Sequence, residues 1–140
     1  MNILHTIYLV IHIIGTAIIV GTAFIALIAM QKRFVSRQVS QLLVLAWQIA
    51  MLVIVIQLIT GILMGFGYWA DILRDPYFIT KMMLLLAGGA VAGIISGKLR
   101  RLDSKDTAAL KQLRAWSLLA FLLFTAVATL GIAMVQAHTS

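Results

Sequence analysis

Residues 3–30, 42–66, 77–97 and 115–137 contain between them a single charged side chain, Lys81. No other feature restricts the fold so strongly. A hydrocarbon layer about 30 Å thick is crossed by roughly 20 helical residues and tolerates few charges, so stretches this long and this free of charge are spans. None alternates apolar and polar residues in steps of two, as a membrane barrel strand would, and each is long enough to cross as a helix. The expectation is an all-α polytopic membrane protein, a four-helix bundle forming one transmembrane domain over residues 1–140. A hydrophobic content of 63% and a mean hydropathy of +1.09 exclude a soluble globular domain. The first run is longer than a signal-peptide core and no basic segment precedes it, so it reads as a retained helix.

The connectors set the expected orientation. "QKRFVSRQ" carries Lys32, Arg33 and Arg37, and "KLRRLDSKDTAALKQLR" carries Lys98, Arg100, Arg101, Lys105, Lys111 and Arg114, which is nine of the eleven basic residues. By the positive-inside rule, loops 31–41 and 98–114 are cytoplasmic, and both termini lie on the outer side of a cell (inner or plasma) membrane. The formal charge of +7 then reports orientation in a lipid bilayer, and no nucleic-acid partner is inferred from it. Trp47 and Trp116 near the inner ends, with Tyr68, Trp69 and Tyr77 near the outer ends, suggest two aromatic belts. Asp75 and Pro76 read as N-cap and first residue of the third span, preceded by a short interfacial helix in "WADILRD".

Small residues mark helix contacts in membranes, because close approach replaces the hydrophobic drive that lipid removes. Gly89, Gly93 and Gly97 recur at four-residue spacing, and Gly61 and Gly65 repeat the pattern. These faces are expected to receive neighbouring helices, either within the bundle or in a homo-oligomer or larger membrane complex. Polar and small residues also fall on shared faces: His5, His12, Thr16 and Ala23 in the first span; Gln57, Gly61 and Met64 in the second; Lys81 and Gly88 in the third; Gly131 and His138 in the fourth.

With this topology His5, His12, Lys81 and His138 all lie in the outer half, as do Met1, Met64, Met82, Met83 and Met134. Imidazole and thioether donors gathered toward one side suit a soft or borderline metal, copper above all. The candidate ligands are His12, His5, His138, Met64 and Met134. The same half offers an axial imidazole for haem b in His12, with Lys81 and Arg74 as cationic partners for the propionates. A third reading keeps the histidines as interhelical hydrogen-bond donors in a non-catalytic subunit or scaffold. The chain has no Cys and all four acids lie in connectors, so thiolate sites and paired-carboxylate catalysis are excluded. Whether the protein is an enzyme stays open, since catalysis here would rest on a cofactor.

The order of several short motifs resembles a known family. "LVIHIIGTAIIVGTAF", with His12 nine residues before Gly21, is similar to the opening helix of CopD-like (copper resistance D) membrane proteins. The likeness continues through "RFVSRQVSQLL", "LITGILMGF" with Thr60 and Gly61, and "RDPYFITKMMLLLAGGAVAGI" with Tyr77 and Lys81. It implies a four-helix unit of copper-resistance proteins, related in architecture to the HemJ-like membrane haem proteins. By that resemblance His12 is the first-helix metal or haem ligand and Lys81 the third-helix basic residue.

Overall fold

Four long helices and one short one make up the protein, seen in a computed structural model that describes residues 3–31, 36–65, 69–103 and 105–139, apart from the side chains of 135, 138 and 139. They are α1 (Ile3–Ala29), α2 (Arg37–Met64), α3 (Trp69–Ile72), α4 (Pro76–Arg100) and α5 (Thr107–Thr139). All four long helices are long and apolar enough to cross a membrane. Among the described residues there is no strand, as the all-α expectation requires. Met1, Lys32, Arg33 and Tyr68 lie outside the described residues, as does the side chain of His138.

Helix ends follow the caps rather than the edges of the apolar runs. Ser36 accepts a hydrogen bond from the Val39 amide and starts α2 five residues before the apolar stretch begins. Asp75 accepts from the Tyr77 amide at 2.9 Å with Pro76 at the first helical position, as expected. Asp106 accepts from the amides of Ala108 and Ala109, which extends α5 eight residues below residue 115. That extension is amphipathic: Leu110 and Leu113 are buried, while Lys111 and Arg114 are exposed.

Each long helix packs against two others, in the ring order α1, α2, α4, α5. The pairings run antiparallel, because the start of each helix meets the end of its neighbour. Ser40 donates to the carbonyl of Leu99, Arg114 reaches that of Met30, and Lys98 donates to Gln112. Outward faces are aliphatic, with Ile14, Leu52, Leu86 and Leu122 all more than half exposed, a surface suited to lipid.

Alanine, more than glycine, allows the helices their closest approach. Ala23, Ala26, Ala50, Ala92 and Ala120 are at most 1% exposed along the bundle axis. Among the described residues, the expected glycine groove on α4 is met at Gly89 alone. A Cβ at Gly89 would sit 3.8 Å from Ile54, and Cβ atoms at Gly93 and Gly97 would meet nothing within 4 Å. Gly88, one residue away, is the position under pressure: a Cβ there would fall 2.5 Å from the Phe124 ring. Trp47 also departs from expectation. It is fully buried in the bundle rather than set in an interfacial belt, and its indole nitrogen has no hydrogen-bond partner among the described residues. Trp116 and Trp69 are half-buried and Tyr77 is exposed.

Candidate functional site

The antiparallel register brings His12 of α1 level with Thr60 of α2, Lys81 of α4 and Gly131 of α5. Gly15 makes the arrangement possible on the α1 side, because a Cβ there would collide with the side-chain amide of Gln57. With no Cβ in the way, Gln57 reaches across and donates to the His12 carbonyl at 2.5 Å, and Thr16 donates to the same carbonyl at 2.9 Å. Two side-chain donors on one carbonyl fix the α1 backbone where the imidazole leaves it.

The ring is held at both nitrogens. Nδ1 lies 3.1 Å from the Thr60 hydroxyl and Nε2 lies 3.2 Å from the Lys81 ammonium. An ammonium has donors and no acceptor, so Nε2 accepts and carries the lone pair. The ring proton is therefore on Nδ1 and is donated to Thr60 Oγ1. The Thr60 hydroxyl proton is itself used on its own helix, at 2.9 Å from the Ile56 carbonyl. Thr60 thus acts as the acceptor of the Nδ1 proton, and the Nε2 lone pair is turned toward Lys81.

Around this pair the side chains are small or apolar. A Cβ at Gly61 would be 4.0 Å from His12 Cε1, and one at Gly131 would be 3.3 Å from Lys81 Nζ, so glycine leaves space beside both nitrogen bases. Below them lies a cavity of about 10 Å³ lined by Thr16, Ile19, Gln57, Lys81, Leu85 and Phe124. No acid shares this layer: the four carboxylates, Asp71, Asp75, Asp103 and Asp106, all lie outside the long apolar stretches. Lys81 therefore faces an imidazole where a membrane lysine would ordinarily be paired with a carboxylate.

The other candidates lie at different levels. His5 is half-buried, seven residues before His12 and so about 10 Å further along the axis. His138 follows Gly131 by seven residues in α5. Met64 and Met134 are half-buried, each within about one turn of the His12 layer on the same side as α3. Arg74 is exposed in the turn after α3. Among the described residues no three His, Cys, Asp or Glu side chains converge on a point able to hold a metal ion. Sequence reasoning had put Gln57 on an inward face, but not Thr60 as the partner of His12. The signal was the three-residue spacing between them, which places both on one side of α2.

No family model, no curated protein and no solved structure matches the chain.

Proposed function

We propose that the protein is a small membrane haem b protein serving electron transfer or an oxidase reaction, with His12 as axial ligand. The observation that carries this reading is one imidazole, held at Nδ1 by Thr60, whose Nε2 lies 3.2 Å from the Lys81 ammonium of another helix, a single ligand base beside a cation suited to a propionate, in a layer without a carboxylate. A bare ion commonly draws three or four donors from the protein, whereas haem brings four of its own and needs one or two. The donor set supports the second case.

Bound there, haem would supply one-electron chemistry, with its potential tuned by the ligand and by burial. The chain's own residues do the positioning. Thr60 holds the Nε2 lone pair free of a proton, and Gln57 and Thr16 hold the backbone beneath it. Gly61 and Gly131 keep Cβ atoms away from the two bases. The cavity beside the pair measures about 10 Å³, which is too small for a macrocycle with the helices packed as they are here. Basic connectors on the cytoplasmic side would open the half of the bundle that holds His12 to the outside.

Copper is the second reading, favoured by the half-buried Met64 and Met134 within about one turn of His12, which are the soft donors Cu(I) prefers. One spectrum separates the two. The detergent-purified protein, expressed with excess haem precursor, should show a Soret band that shifts on dithionite reduction, and His12→Ala should lose it. A featureless visible spectrum, with stoichiometric Cu(I) binding that His12→Ala abolishes, would replace haem by copper. Neither signal would leave the scaffold reading standing.

A further inference from the structure

A second cavity, of about 490 Å³, lies at the opposite end of the bundle, between the first turns of α2 and the last turn of α4. Its rim carries Arg37 and Arg100, one from each helix, with Ser36, Ser40 and Gln41 between them. Its floor is aliphatic, made by Val44, Leu99 and Leu102. One carboxylate, Asp103, also lines it, and accepts a hydrogen bond from the Lys105 amide. Neither guanidinium has a hydrogen bond or an ion pair among the described residues.

We infer that this cavity binds a phosphate group, and that the group belongs to the headgroup of an anionic phospholipid. Arg37 and Arg100, from different helices, line one cavity and are unpaired among the described residues, and guanidinium groups are suited to phosphate oxygens, which they bind by parallel N–H donors. The Ser36 hydroxyl and the Gln41 amide, which line the same cavity, add neutral donors. The aliphatic floor decides the source. A free phosphate has no use for the half-buried Val44 and Leu102, whereas a glycerol backbone with its first acyl carbons covers them. The position agrees with this: Leu42 and Leu45, beside the lining residues Gln41 and Val44 of α2, are 65% and 53% exposed, so the lipid-facing surface begins at the depth of the floor. Ser40 holds the two walls together through its bond to the Leu99 carbonyl, at 3.2 Å. A headgroup seated here would join the α2 and α4 ends further. The site is independent of whatever the outer half holds.

The test uses the full chain, delipidated in detergent and offered phosphatidylglycerol, phosphatidylcholine or inorganic phosphate, with bound species counted by native mass spectrometry. The wild type should retain one phosphatidylglycerol in preference to phosphatidylcholine. The double variant Arg37→Gln/Arg100→Gln should weaken that retention about tenfold or more. Lys105→Gln/Lys111→Gln removes the same charge from the same end outside the cavity and should change retention less than threefold. Unchanged circular dichroism in both variants controls for folding. Millimolar inorganic phosphate should not displace the lipid. If it does, and remains bound itself, the lipid assignment is overturned in favour of a soluble phosphate compound. Equal retention of phosphatidylcholine, or equal losses in the two double variants, would overturn the site altogether and leave only general surface attraction.

Discussion

Replacing Thr60 with valine removes one oxygen and keeps the shape of the side chain. Thr60 is 5% exposed, and its hydroxyl accepts from His12 Nδ1 at 3.1 Å while donating to the Ile56 carbonyl at 2.9 Å. The second bond is expendable, because that carbonyl keeps its place in the helix ladder. The first is not, since His12 is left with a donor in an apolar layer. An orphaned buried donor costs about 1–3 kcal/mol in general, and interhelical hydrogen bonds in membranes measure about 0.6–1.7 kcal/mol. With His12 half-buried and one local partner lost, we expect a loss of about 1–2 kcal/mol, or roughly five- to thirtyfold in the folding equilibrium. The assay is unfolding of the cofactor-free protein in a mixed-detergent titration, read beside imidazole nitrogen chemical shifts in a His5→Ala/His138→Ala background that leaves one histidine. The parent, Thr60→Ser and Thr60→Val should all keep the proton on Nδ1, because Lys81 still donates to Nε2, but only Thr60→Val should shift the Nδ1 resonance, its proton having lost its acceptor. If Thr60→Val keeps full stability and an unchanged nitrogen spectrum, or if Thr60→Ser behaves like it, the assignment of Thr60 as the acceptor is wrong. In haem-loaded protein the same substitution should weaken binding about 10- to 100-fold, as loss of a partner to a ligating histidine commonly does.

The remaining predictions concern packing. Gly88→Ala should destabilise the bundle by about 1–3 kcal/mol, because its Cβ meets the Phe124 ring at 2.5 Å, and pairing it with Phe124→Leu should restore part of the loss. Gly93→Ala and Gly97→Ala should each change stability by less than about 0.5 kcal/mol in the isolated chain, since nothing lies within 4 Å of either new methyl. A large loss would place a second helix on that face. Ser117 is fully buried and its hydroxyl has no partner among the described residues, so Ser117→Ala should be neutral or stabilising by up to about 1 kcal/mol in thermal unfolding.

The chain's local chemistry was enough to place the four spans, the Asp75–Pro76 helix start and the short helix before it, because lipid obliges each segment to satisfy its backbone by itself. Ser36 and Asp106 extend α2 and α5 beyond the apolar runs, and those extensions were readable from capping residues though not from hydropathy. The shared faces of Gln57 with Gly61 and of Lys81 with Gly88 gave the inward side of two helices, but the sequence did not say which small or aromatic residues meet a neighbour there. In a soluble bundle a polar outer face narrows that choice, but here both faces are largely apolar and only packing makes it. Hence Trp47, placed at an interface by its position near the end of a span, lies in the core, and Gly88 rather than Gly93 or Gly97 takes a neighbouring side chain. The pairing of His12 with Lys81 joins residues 69 apart in sequence, from helices whose relative depth no local pattern states. The sequence alone decided that a histidine and a lysine would be in the membrane. Only the tertiary structure decided that they would meet, because the register between helices is set by side chains interlocking across the bundle.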